Sequence, residues 1–161
     1  MAEDQILVRL AAVEDRLAII ELEATYARLF DERQGEAWAA LFTPEGVYQS
    51  RDATPEGRGN YVQGRENLAR FCSQAPFDGI HFLHLAQVSI DGDSAVSRVH
   101  LEFVAAFHDR VSHTRRMVGY YDVSYARVDG RWLIVRRVTT TFSHEDNATF
   151  GYPGTSGIAE I

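Results

Sequence analysis

Lysine is absent from this chain of 161 residues, and all 16 of its basic residues are arginine. Without a lysine amine, the chain cannot form a Schiff base with a carbonyl substrate, and it lacks the lysine of a phosphate-binding P-loop. Cys72 is the only cysteine, which excludes an internal disulfide and any site built from several thiolates. Any chemistry must therefore rest on other side chains.

Long apolar runs are absent as well, so the sequence predicts no transmembrane helix. Residues 1–4 are partly acidic and lack the basic and apolar regions of a secretory signal, so we expect a cytoplasmic protein. The net charge of −7 provides no basic surface for nucleic acid or an anionic membrane. The length and the 45% hydrophobic content are typical of one globular domain.

Apolar residues at helical spacing predict a first helix over residues 6–30. The apolar positions are Leu10, Val13, Leu17, Ile20 and Ala24. Charged residues such as Glu23 occupy positions between them, and Gly35 is a stop signal after the helix. Two shorter helices are predicted over 36–42 and 65–74, separated by a glycine-rich loop over 51–64.

Strand patterns dominate the rest of the chain. The predicted strands cover residues 47–50, 80–90, 95–108, 114–128 and 131–142. Asp91-Gly92-Asp93 and Asp129-Gly130 are hairpin turn signals between successive strands. Helices followed by an antiparallel meander indicate an α+β fold with helices on one face of a curved sheet. We predict one domain over 1–145 and a tail over 146–161 that serves as a lid or an oligomer contact.

The strand predicted over 80–90 is apolar on both of its faces, with Phe82 and Val88 on one side and Leu83 and Leu85 on the other. A sheet with one solvated face should alternate apolar and polar residues instead. A second subunit is the simplest cover for such a face. We therefore expect a homo-oligomer, a dimer or a trimer.

Six histidines supply groups that titrate near neutral pH. His81 and His84 are three apart on a predicted strand and so point to opposite faces, which argues against a shared metal ion. If the hairpin pairs Asp91 with Ser94, continuing that register places His81 on the same face as His100. The remaining histidines, His108, His113 and His144, are interpreted as polar loop residues.

Several motifs follow one another in a characteristic order. They are the run Tyr26 to Asp31, the pattern Trp38-x-x-Leu41-Phe42-x-Pro44, Gly64-Arg65-Glu66, His81 ten residues before the 91–93 turn, and Gly130-Arg131-Trp132. In this order they resemble the SnoaL-like branch of the nuclear-transport-factor-2-like superfamily, over about residues 10–145. The resemblance implies a cone in which helices cover a strongly curved, mostly antiparallel sheet and enclose a pocket.

The motifs are most similar to those of the group that includes scytalone dehydratase and hexachlorocyclohexane dehydrochlorinase. Asp31 and His81 fall at that group's catalytic Asp–His dyad, and Arg137 falls at an active-site arginine of the dehydrochlorinase. Tyr26 and Tyr48 fall at or near substrate-binding tyrosines. The second histidine of scytalone dehydratase corresponds to Ala106 here, and His100 is a candidate replacement in substrate binding.

The resemblance implies a lyase that acts on a small hydrophobic or aromatic molecule without a metal or an organic cofactor. His81 would remove a proton from carbon while water or halide leaves the neighbouring carbon, and Arg137 or Tyr48 would stabilise the developing anion. An isomerase or a polyketide-type cyclase would begin with the same proton removal. A non-catalytic ligand-binding or assembly subunit is the third alternative, favoured if Asp31 and His81 lie apart.

Overall fold

The computed structural model describes residues 2–107 and 113–146, and within them the chain forms three helices and seven strands. The helices are α1 (Ala2–Asp31), α2 (Gly35–Ala39) and α3 (Arg65–Ser73). The strands are β1 (Phe42–Ser50), β2 (Tyr61–Gln63), β3 (Phe77–Leu83), β4 (Gln87–Asp91), β5 (Ser94–Phe107), β6 (His113–Val128) and β7 (Arg131–Asp146). The tail predicted over 146–161 lies outside the described residues from 147 onward, as does His108.

All seven strands belong to one sheet with the order β2-β1-β7-β6-β5-β3, and β4 pairs with β5 beside β3. The β1–β7 pair is parallel and the other pairs are antiparallel. The long strands β5, β6 and β7 form the centre, and the helices cover one face. The predicted α+β class and the mostly antiparallel sheet are therefore confirmed.

The strand predicted over 80–90 is two strands, β3 and β4, separated by residues 84–86. In β4 the predicted register holds, because Asp91 pairs with Ser94. In β3 the pairing has moved by one residue, so that His81 lies opposite Phe103 rather than Val104. Because side chains alternate along a strand, a shift of one residue changes which neighbours share a face. The expectation that His81 and His100 share a face is wrong for this reason.

Two short elements also differ from the predictions. The second helix ends at Ala39, and β1 already begins at Phe42. Pro44 lies inside β1, where the pairing with β7 shifts between Phe42 and Val47. Proline is tolerated at such an irregularity because no ladder hydrogen bond needs its missing N–H. Strand β2 lies within the segment predicted as a loop, and its three residues are too short to show a periodic pattern.

The core lies between the C-terminal half of α1 and the inner face of the sheet. Tyr26 and Phe30 of α1 pack with Trp38 of α2, which is fully buried, and Ile19 belongs to the same buried cluster. The odd-numbered residues of β5 complete this core: Ala95, Val99, Leu101, Phe103 and Ala105. The alternation places every second side chain of the strand toward the helices. This packing positions the end of α1 directly against β3.

Apolar side chains also remain exposed in two places. Leu10, Val13 and Leu17 have half or more of their surface accessible, so the apolar stripe of α1 leaves the core before Ile19. On the outer face of the sheet, Phe82 and Phe142 are each more than half exposed. None of the helices in the two described stretches is both long and apolar enough to cross a bilayer.

Candidate active site

The last residue of α1 and the middle of β3 meet through a carboxylate and an imidazole. Asp31 Oδ1 lies 2.6 Å from His81 Nδ1, and Asp31 Oδ2 accepts the backbone N–H of His81 at 3.0 Å. The His81 side chain is only 5% exposed and that of Asp31 19%. Each oxygen of one carboxylate therefore binds a different group of the same residue, which fixes both the strand and the ring.

These contacts determine the tautomer and the charge of the imidazole. A carboxylate accepts hydrogen bonds, so Nδ1 carries the proton of the neutral ring and Nε2 is left with a lone pair. The Tyr121 hydroxyl lies 3.1 Å from Nε2. Burial lowers the pKa of His81 below the ordinary value, against the opposing effect of Asp31. At neutral pH the ring is therefore an uncharged base.

A cavity of about 400 Å³ opens beside this pair. His81, Tyr121, Tyr26 and Tyr48 line it together with further aromatic and apolar side chains: Phe30, Phe71, Phe77, Leu101, Phe103, Phe107 and Met117. The polar lining residues include Ser50, Asn60, Thr139 and Thr141. Apolar walls with a few polar groups are typical of sites for small organic molecules.

Arg137 lies behind the cavity wall rather than in it. Its guanidinium donates to both carboxylate oxygens of Glu23, at 2.9 and 2.8 Å, and its side chain is fully buried. The Tyr26 and Tyr121 rings both pack against it, with centroids 3.6 and 3.9 Å from the guanidinium carbon and ring planes 69° apart. The predicted contact of Arg137 with an anionic leaving group does not exist in this arrangement, because two tyrosine rings separate it from the cavity.

The helical pattern predicts Glu23 to be one of the charges between apolar positions, yet its side chain is buried. It accepts the Tyr125 hydroxyl at 2.7 Å in addition to Arg137. The spacing of residues in the sequence indicated this burial. Glu23 follows Ile19 by four residues and precedes Tyr26 by three, which places all three on one helical face. A buried carboxylate on that face requires a cation from the sheet.

The other candidate residues are placed as follows. Tyr26 and Tyr48 line the cavity, and burial raises the pKa of both phenols, so both are uncharged. The Tyr48 hydroxyl accepts a hydrogen bond from Thr139 at 3.2 Å. His100 is exposed on the outer face, where its ring lies 6.1 Å from that of Tyr120, so it cannot contact a molecule in the cavity.

Tyr121 was not among the predicted site residues. It lies opposite Val99 in the β5–β6 ladder, and its strand alternates buried Tyr121, Val123 and Tyr125 with less buried residues. That alternation was visible in the sequence, but only the pairing of three strands brings Tyr121 to His81.

Within the described residues, no three His, Cys, Asp or Glu side chains converge on a point that could hold a metal ion. The side chains of His113 and His144 lie outside that description.

A family model for the SnoaL-like domain matches residues 11–138 of this chain. An uncharacterised protein of Mycobacterium tuberculosis is 28% identical over 137 residues, which is 85% of this chain and 92% of that protein. Two mycobacterial counterparts, one of them from Mycobacterium bovis, match equally well and are likewise uncharacterised. The sequence relatives thus agree over almost the whole domain and carry no assigned activity.

Solved structures show the same fold. A hexachlorocyclohexane dehydrochlorinase superposes with a TM-score of 0.74 at 19% identity, covering 92% of this chain and 98% of that one. A scytalone dehydratase-like protein of Novosphingobium aromaticivorans superposes with a TM-score of 0.68 at 19% identity, covering 98% and 99%. At this level of identity the likeness concerns the fold, and the fold's neighbours include dehydratase and dehydrochlorinase enzymes.

The Glu23–Arg137 pair generates a stability prediction. Replacing Arg137 with Met leaves the Glu23 carboxylate buried without its cation, so the free energy of unfolding should fall by about 3–5 kcal/mol. Urea unfolding followed by circular dichroism measures this change. Arg98→Met is the matched control, because Arg98 binds Asp122 through two hydrogen bonds on the exposed outer face and should change stability little. Equal losses in the two variants would contradict the prediction.

Proposed function

The chain belongs to the SnoaL-like domain family, and from that premise we propose that it is a lyase using Asp31 and His81 as a catalytic dyad. His81 Nε2 removes a proton from a carbon of the substrate, and a leaving group departs from the neighbouring carbon. No metal or organic cofactor takes part in this step. The substrate is a small hydrophobic or aromatic molecule bound in the cavity.

One observation carries this proposal: the Nδ1–Oδ1 contact of 2.6 Å leaves Nε2 unprotonated at the edge of an apolar cavity. A neutral imidazole alone is a modest base. The Asp31 carboxylate holds the productive tautomer and stabilises the imidazolium that forms when Nε2 takes a proton. A positioned general base of this kind typically contributes about 10²–10⁴-fold to the rate.

The cavity lining supports the proposed substrate class. Aromatic walls suit a ring-bearing molecule, and the few polar groups, such as Asn60 and Thr139, would orient one or two oxygen or halogen substituents. The names of the structural neighbours, a dehydrochlorinase and a scytalone dehydratase-like protein, favour elimination of halide or water. An isomerisation or cyclisation would start with the same proton removal, and product analysis distinguishes these outcomes.

The test is turnover of a panel of cyclic compounds that carry a hydroxyl or halogen beside an acidic C–H bond, followed by absorbance of the new double bond. His81→Gln should abolish turnover, and Asp31→Asn should lower kcat by several orders of magnitude, since the tautomer is no longer fixed. The matched control is His84→Gln, which changes an exposed histidine just beyond the same strand. Full activity of His81→Gln would refute the dyad, and unfolding of Asp31→Asn would make that residue structural.

The lowered pKa of His81 predicts the pH dependence. The base acts in its neutral form, so kcat/KM should rise with pH to a plateau, with a midpoint below the value of about 6.5 of an unperturbed histidine. The unfolded chain binds the proton more readily than the folded one, so the free energy of unfolding should fall as the pH drops below about 6.5. A midpoint above 6.5 in a pH series of kcat/KM would contradict this expectation.

We also propose that a second copy of this chain covers the outer face of the sheet. Ile80, Phe82 and Phe142 are all exposed there by more than half. Sedimentation velocity should find a dimer or a trimer, and Phe82→Asp should shift it toward the monomer, because a charge would be buried at the interface. A wild-type monomer at all concentrations would end this proposal.

A further inference from the structure

The nitrogen that would take the substrate proton already has a partner in the resting site. Tyr121 places its hydroxyl 3.1 Å from His81 Nε2, and both side chains line the cavity. A molecule that reaches His81 therefore also reaches the Tyr121 oxygen. The proposed base mechanism gives this hydroxyl no role.

The direction of this hydrogen bond follows from the dyad. Since the proton of the neutral ring lies on Nδ1 toward Asp31, Nε2 can only accept, and the Tyr121 O–H donates to it. Once Nε2 carries a proton, the same contact supports the opposite direction, with Nε2–H donating to the Tyr121 oxygen. The phenol hydrogen is then available to another acceptor in the cavity.

We propose that Tyr121 is the acid that protonates the leaving group, and that the proton His81 removes from the substrate carbon replaces the one Tyr121 gives away. This inference rests on the proposed function. It extends that function by naming the donor that a hydroxyl or another poor leaving group requires.

The step balances within the site. The C–H bond breaks, its proton goes to Nε2, and its electron pair forms the new double bond. The bond to the leaving group breaks, the leaving group keeps that electron pair and takes the phenol proton of Tyr121. The proton on Nε2 then moves to the Tyr121 oxygen, so both residues return to their starting states and only the unsaturated product and the protonated leaving group are released.

The surroundings of Tyr121 suit this role. The Arg137 guanidinium carbon lies 3.9 Å from the ring centroid, where its charge stabilises the negative charge that develops on the phenol oxygen. Burial raises the pKa of the phenol, which favours return of the proton to it, and the charge of Arg137 opposes that shift. Arg137, predicted to face the leaving group itself, is in this mechanism a positioning residue that acts through Tyr121.

The other tyrosines of the cavity are less well placed. The Tyr48 hydroxyl accepts a hydrogen bond from Thr139, and its ring packs against Trp38 and Phe71 rather than against the imidazole. Tyr26 meets the imidazole with an edge-to-face ring contact, with centroids 6.1 Å apart. The hydroxyl that contacts the reacting nitrogen is that of Tyr121.

Elimination of 1,2-benzisoxazoles provides a kinetic test. In this probe a base removes the ring proton, the N–O bond breaks, and a phenol oxygen leaves whose basicity depends on the ring substituent. Tyr121→Phe should lower the rate of elimination only slightly for the 5-nitro compound and by about 10²-fold for the unsubstituted one. A poorer leaving group depends more strongly on protonation by the acid. Tyr120→Phe is the matched control, because it removes a neighbouring hydroxyl on the outer face, beside Arg98.

The pattern of losses distinguishes the two proposals. Both proposals are supported if His81→Gln loses every probe reaction and Tyr121→Phe loses more rate as the leaving group becomes poorer. Full turnover by His81→Gln would refute the base itself. If Tyr121→Phe lost the same factor in rate with all probes, or lost none, the role of Tyr121 as the acid would be refuted. The role of His81 as the base would be unaffected.

Nitrogen-15 NMR of histidine-labelled protein tests the hydrogen bond between Tyr121 and His81 Nε2 without turnover. Removal of a donor to Nε2 in Tyr121→Phe should move that nitrogen's resonance in the neutral ring toward that of a free imine nitrogen. Tyr120→Phe should leave the resonance unchanged. If Tyr121→Phe does not fold, 3-fluorotyrosine at position 121 keeps the hydroxyl and should still shift the Nε2 resonance. An unchanged Nε2 resonance in the folded variant overturns the proposal.

Discussion

One carboxylate at the end of the first helix determines the geometry of the whole site. Asp31 accepts the ring N–H and the backbone N–H of His81 with its two oxygens. The backbone contact joins α1 to β3, and the ring contact decides which nitrogen carries a proton. The proposed base and the direction of the Tyr121 hydrogen bond both follow from this arrangement. An aspartate in that place is thus both a structural tie and an electrostatic partner.

A second buried charge lies behind the cavity and is paired there, although its Nε has no hydrogen-bond partner among the described residues. The guanidinium of Arg137 is neutralised by Glu23 and packed against two tyrosine rings. Desolvated ion pairs are costly unless their geometry is good, and two parallel hydrogen bonds provide that geometry. Tyr26 and Tyr121 both contact this guanidinium and both line the cavity, so a charge that is not part of the lining supports the cavity wall.

The sequence predicted the order of elements well, because helical and strand periods are local signals. Motif order, rather than periodicity, pointed to Asp31 and His81, and the structure brings them within hydrogen-bond distance. The register of β3 could not be derived, since residues 84–86 interrupt the strand without a turn motif. Nor could the burial of Glu23 be read from its type, because a carboxylate on a helix is usually solvated.

The interruption at 84–86 has a consequence for relatives of this chain. Its length determines how many residues separate His81 from the hairpin turn at 91–93. The turn is easy to find in a sequence, and the histidine is not. A relative with one residue more or fewer in this connector can keep the same imidazole facing the same aspartate at a different count from the turn. Assignment of the histidine in such chains should therefore start from pairing with the end of the first helix, not from distance along the sequence.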